Sequence, residues 1–235
     1  MSLTAQQLAE QMPDGRQLLS DEPEMESSLH YQQLALLVSC LEWYWQRRND
    51  FFIGANLTVY YDHQQLRKRA FSGPDFFFVR HVIREPRNSW VVWEEGGRYP
   101  DLIIELLSDS TATVDRNKKK TLYQNVFRTP EYFWFSPVTL EFAGFRLTLG
   151  HYEAIPVDPR GWRWSEVLGL YLGVENNELR YFDAQGNKVL TPTEAANLER
   201  QRAEQERERA EQERERAEKL TQRLKDLGVE PDDLS

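Results

Sequence analysis

At 235 residues the chain has room for one well-filled domain and an appendage, and its net charge of −9 runs against a protein that coats nucleic acid through a broad basic surface. Cys40 is the one cysteine, which excludes an internal disulfide and a cysteine-based zinc site within one chain and points to a reducing cytoplasm. There is no basic-then-apolar leader, and no apolar run nears the roughly 20 residues of a membrane helix, so a soluble cytoplasmic protein is expected.

In chain order, residues 4–12 read as a short amphipathic helix, followed by an acidic connection through Glu26. Ser27 is a natural N-cap. Leu34, Leu37, Val38, Leu41 and Trp45 then recur at helical spacing, predicting a helix over 29–47 that packs on a sheet. Phe51 to Tyr61 changes to a β pattern, and 63–72 is a polar, basic connection. Strands are expected from Asp75 to about Val82, at Trp90–Trp93 and through Pro100–Leu107, with a turn at Gly96-Gly97. A helix over 112–127 follows, with Leu122, Val126 and Val114 facing inward. Glu131–Pro137 is an aromatic strand, so 100–136 reads as a strand-helix-strand crossover. Two strands between Leu140 and Val157, a segment around Leu168–Leu172 and a hairpin near Asp183–Asn187 complete a β-rich continuation.

From about Thr193 the composition shifts to Glu, Arg, Gln and Ala, and the heptapeptide Arg-Ala-Glu-Gln-Glu-Arg-Glu occurs at 202–208 and again at 209–215. A coiled-coil seam requires two large apolar positions per heptad, whereas only Ala203, Ala210 and Ala217 recur. Oppositely charged pairs four apart, Arg207 with Glu211 and Glu215 with Lys219, fit a solvated helix instead. Leu220, Leu224 and Leu227 leave a short sticky end through which a homodimer or a partner protein could be held. The organisation is therefore an N-terminal segment at 1–26, a domain at 27–190 and a charged helical tail at 191–235. All seven Trp, ten Tyr and twelve Phe precede Asn187, in keeping with that division.

The residue that most needs explaining is Glu105, inside the aliphatic run Leu102-Ile-Ile-Glu-Leu-Leu107. An ionised group buried there costs several kcal/mol unless a partner, hydrogen bonds or a metal compensate. Asp75 repeats the pattern at the mouth of Phe76-Phe-Phe-Val79. On neighbouring strands the two acids would make half of a magnesium or manganese site. Asp115, Lys119 and Tyr123 are spaced by four along one helix face, so Lys119 could orient a water or meet charge developing on a phosphate. Each residue has a plainer reading: Asp75 as a turn cap, Glu105 in a salt bridge, Asp101 as a turn residue, and Arg116-Asn-Lys-Lys-Lys120 as a solvated helix face. Ser108–Thr111 is better read as capping than as a nucleophile loop, because no His and Asp partner it in order. The four histidines show no ligand spacing.

Taken together, Pro74-Asp75, Pro100-Asp-Leu-Ile-Ile-Glu-Leu-Leu-Ser108, Ser110-Thr111, Asp115, Lys119, Tyr123 and Glu131-Tyr-Phe-Trp resemble the Uma-two family of bacterial restriction endonucleases, within the PD-(D/E)xK nucleases. The resemblance runs from about Leu29 to Asp158 and is tightest over 100–137. It implies an α/β, restriction-endonuclease-like core, a mixed central β-sheet flanked by helices, with magnesium-dependent cleavage of DNA as the activity. Asp75 matches the first acid and Glu105 the second, both as metal ligands. The usual lysine two residues on is Leu107, which makes Lys119 of the following helix the replacement and Lys118 and Lys120 the alternatives. Glu26, four residues before His30, is the candidate for an additional acid at the metal. The competing reading is an inactive nuclease fold serving as a binding or adaptor protein through its charged tail.

Overall fold

The computed structural model describes residues 18–22, 25, 27–62, 73–108 and 114–226, so the expected helix at 4–12 and the connection at 63–72 lie outside the described residues. Two compact units, Met1–Val189 and Leu190–Ser235, divide the chain.

In the first unit, α1 (Ser28–Tyr44) starts at Ser27, whose hydroxyl accepts the His30 N–H, and it buries Leu34, Leu37, Cys40 and Leu41. Strand β1 (Phe51–Ala55) follows. Asn56, at φ 46°, breaks the expected single strand before β2 (Val59–Tyr60). Next come β3 (Phe76–Arg80), β4 (Trp90–Val91), β5 (Leu102–Leu106), α2 (Val114–Leu122) and β6 (Glu131–Phe135). Strands β7 (Phe142–Thr148), β8 (His151–Ala154), β9 (Arg163–Ser165), β10 (Leu170–Glu175) and β11 (Glu178–Phe182) complete the unit.

Six strands form one mixed sheet in the order β1-β3-β5-β6-β7-β8. Within this sheet β5 and β6 pair in parallel and the other described neighbours antiparallel, because α2 lies between β5 and β6 and returns the chain as the expected crossover. The Trp90 segment leaves this sheet and pairs in parallel with β2 instead. On one face of the sheet, Phe76, Phe78, Leu102, Ile104, Leu106 and Phe133 share a core with α1 and the separate three-stranded sheet β11-β10-β9. On the other, Phe77, Val79, Ile103 and Tyr132 pack with Trp90 and with Tyr123 and Phe127. The alternation along β3 and β5 therefore assigns Asp75 and Glu105 to the face covered by α2.

One expectation is corrected, and one hairpin is added. α2 runs on into a π-helical turn, Tyr123–Phe127, whose wider spacing re-aims the residues that follow. Tyr123 and Phe127 are the buried pair, whereas Val126 is 45% exposed and Leu122 only partly covered. The hairpin joining β10 and β11 turns at Asn176-Asn177, both at positive φ, the geometry of the tight hairpin turn that asparagine tolerates. The expected hairpin at 183–187 is also present: Asp183 accepts from the Gln185 and Asn187 backbone amides, and Phe182 bridges antiparallel to Lys188 just after β11, so the β10–β11 hairpin is an additional one.

The second unit contains α3 (Pro192–Asp226), 35 residues with none buried. Thr191 Oγ1 accepts the Glu194 N–H at 3.2 Å while Glu194 Oε2 accepts the Thr191 N–H at 2.8 Å. This reciprocal cap, with proline at the first helical position, fixes where the helix begins.

Candidate active site

Phe76 pairs with Ile104 in the antiparallel ladder of β3 and β5. One step further along that register, Asp75 faces Glu105 at the end of β5. β3 starts only at Phe76, so the Leu106 N–H meets a side chain instead of a strand partner: Asp75 Oδ2 accepts it at 2.7 Å. Asp75 thus caps a backbone group, as its plainer reading supposed, and is brought beside Glu105 at the same time. Burial and then the Glu105 charge hold the Asp75 carboxyl well above the usual carboxylate range, outweighing the lowering influence of Lys119 and the Leu106 N–H.

Glu105 is 3% exposed, and both its oxygens are engaged. Tyr123 Oη donates to Oε1 at 2.6 Å, and Lys119 Nζ donates to Oε2 at 2.8 Å. The donors lie four residues apart, one helical turn, and so reach the same carboxylate. Tyr123 is fully buried and its hydroxyl is pushed well above its ordinary pKa by burial and by Glu105, which keeps it a donor. Lys119 Nζ also approaches the Gly73 carbonyl at 3.5 Å, two residues before Asp75.

The neighbouring lysines go elsewhere. Lys120 Nζ sits 3.4 Å from the centre of the Phe145 ring, where burial lowers its pKa, and Lys118 is exposed. Of the three candidates, Lys119 is the one that meets an acid of the pair. Leu107, where the nuclease pattern has its lysine, is buried, and its N–H donates to Phe135 O at 2.8 Å.

The remaining candidates fall away from the pair or outside the description. Glu26 and Ser110-Thr111 lie outside the described residues, and the Asp115 side chain is likewise not described. His30 belongs to the helix on the opposite face of the sheet, where its Nδ1 lies 2.8 Å from Ser27 Oγ. Asp101 accepts from the Arg80 backbone and guanidinium, both at 2.8 Å, and so ties β3 to β5 at the far end of the strands. Two residues were not singled out as site residues. Tyr123 was signalled by its register with Lys119. Glu22 gave no signal: its Oε1 accepts from the Gly73 N–H at 2.6 Å and the Thr58 hydroxyl at 2.7 Å, holding the turn that leads into Asp75.

Chemically, the end of β5 presents two neighbouring carboxyls, one of which, Glu105, takes a cationic donor from a helix. Among the described residues, no group of three or more His, Cys, Asp or Glu comes together. Magnesium is commonly held by one or two carboxylates and keeps several waters, so two carboxyls match the donor set that ion uses, and the Lys119 ammonium beside Glu105 marks the spot as one that attracts positive charge. No helix among the described residues is long and apolar enough to cross a membrane.

The family model Uma2, described as "Putative restriction endonuclease", matches residues 12–180, well over half of the chain. Among solved structures, a crystal structure titled as a "putative nuclease belonging to DUF820" from Anabaena variabilis ATCC 29413 is similar at 15% identity. The match covers 63% of this chain and 76% of that one, with a TM-score of 0.45. No curated protein matches the chain.

Proposed function

This chain belongs to the Uma2 family, and from that premise we propose that it is a metal-dependent endonuclease hydrolysing phosphodiester bonds in DNA. The observation that carries the reading is the facing pair Asp75 and Glu105 with Lys119 Nζ 2.8 Å from Glu105. Asp75 and Glu105 are the ligands for magnesium, or manganese in its place, and the sequence adds Glu26 as a further acid. When bound, such a cation supplies Lewis-acid stabilisation of the charge that develops on the phosphate. Lys119 Nζ, freed from a carboxylate oxygen, orients the attacking water or donates to a phosphate oxygen. Tyr123 Oη holds Glu105 Oε1 and fixes the orientation of that carboxylate, while Tyr123 is itself packed against Phe127 and Tyr132.

The test is incubation of the purified protein with single-stranded, duplex and supercoiled DNA in magnesium or manganese. Cleavage is expected from the parent and a loss of roughly a hundredfold or more from Asp75→Ala, Glu105→Ala and Lys119→Ala, the scale seen when one transition-state donor is removed. Uncut DNA of every form, with Asp75→Ala binding metal as well as the parent, would refute the reading.

A second reading is favoured by α3, none of whose residues is buried. In it the nuclease fold is a platform and the charged helix binds a partner protein or a second copy of the chain. Deleting residues 194–235 separates the two, since an enzyme keeps its active site and an adaptor loses its partner.

A further inference from the structure

The two donors on Glu105 differ in what they mean for a cation. Tyr123 Oη occupies Oε1 without bringing charge, whereas Lys119 Nζ brings a full positive charge to Oε2. Its contact with the Gly73 carbonyl places that ammonium between Glu105 and the turn that carries Asp75. The position is held: the Lys119 side chain is 20% exposed, against 3% for its partner, and the helix that delivers it is anchored by the buried Tyr123 one turn later.

We propose that Lys119 is a resident counter-cation of the Asp75–Glu105 pair, competing with a divalent ion for Glu105 Oε2, so that metal loading drives Nζ off that oxygen and frees it for the water or the phosphate. The inference rests on the metal-site reading above. A buried carboxylate needs an opposite charge beside it, and without a divalent ion Lys119 provides one. Two cations on one carboxylate in a poorly solvated pocket repel each other strongly, so the ammonium and the metal exclude one another from Oε2. Lys119 thus opposes metal binding while serving the reaction, and its removal affects the two in opposite directions.

The test is manganese binding to the metal-stripped full-length protein by isothermal titration calorimetry at one fixed pH, comparing the parent with Lys119→Met and Lys119→Gln. Gln retains an N–H donor for Glu105, so the comparison survives if the Met variant fails to fold. Either folded variant is expected to bind manganese more tightly than the parent by on the order of tenfold, the size of one charge-assisted hydrogen bond, while losing DNA cleavage. Equal or weaker binding by the folded variants, with the parent still binding, overturns the inference and leaves the metal site standing. No manganese binding by parent or variants overturns the metal reading and this inference with it.

Discussion

At the scale of single residues, Asp75 has two tasks that pull in opposite directions. Its carboxylate caps the Leu106 N–H, yet burial and the adjacent Glu105 make its ionised form unfavourable in the folded chain. A carboxyl whose folded pKa is raised above its unfolded value contributes stability that is fully present below the unfolded pKa and is lost as pH rises through the folded one. Asp75→Asn stays neutral at every pH and keeps an oxygen for Leu106. In metal-free buffer it is therefore expected to match the parent in acid and to become progressively more stable than it as pH rises. Each tenfold difference in proton affinity between the folded and unfolded states is worth about 1.4 kcal/mol. Denaturant unfolding of both proteins across pH measures this, and a gap that does not change with pH would remove Asp75 as its source. The same residues show how far a site can be read in a sequence. Glu105 announced itself because an acid in an aliphatic strand violates the pattern, and Lys119 because its spacing matched Tyr123. Nothing local announced Glu22, which reaches Gly73 across 51 positions of chain: a contact set by tertiary packing leaves no trace in spacing.

Among the elements, those with a strong period were the legible ones. α1, β5, β6 and the crossover through α2 follow from apolar spacing and from the length of chain between two strands. The inward face of α2 did not, because a π-helical turn departs from the 3.6-residue period on which such a reading depends. The β10–β11 turn is less legible, because Asn176-Asn177 carries a weaker turn signal than the Gly186-containing loop a few residues later. Strand pairing brings out a further constraint. Gly144 on β7 lies directly opposite Phe133 on β6, and a Cβ there would come within 2.4 Å of the ring. Phe133 is fully buried and its ring is stacked with that of Phe142, so it has little room to move. Gly144→Ala is expected to cost about 1–3 kcal/mol by overpacking, read as a lower denaturant midpoint. The Asp75–Glu105 pair sits on the opposite face of the sheet, so manganese titration of the proposed site should give the same result for the folded variant as for the parent. An unaltered midpoint would mean that the ring yields and the pairing carries no such constraint.

For the whole molecule, the division at Leu190 separates two ways of being stable. The first unit has cores on both faces of its sheet. The second is a helix of 35 residues, roughly 52 Å at 1.5 Å per residue, with none buried, so it has no fully buried apolar face of its own to sustain it. What remains is local: good helix formers throughout, the Thr191–Glu194 cap, and ion pairs one turn apart, Arg214 with Glu218 at 3.0 Å and Glu215 with Lys219 at 3.5 Å. Such exposed pairs give only about 0.3–0.5 kcal/mol each and are screened by salt. A chain ending at Thr191 should therefore unfold at the same denaturant midpoint as the full protein. The circular-dichroism difference between the two proteins should be a helix spectrum that weakens as salt is raised, while the midpoint of the first unit moves little in comparison. If the helix instead pairs with a second copy through Leu220 and Leu224, its helicity will rise with protein concentration and sedimentation will report a dimer that truncation abolishes. A lower midpoint in the truncated chain at a concentration where the full protein is monomeric would show that the first unit depends on residues beyond Thr191, against the division at Leu190.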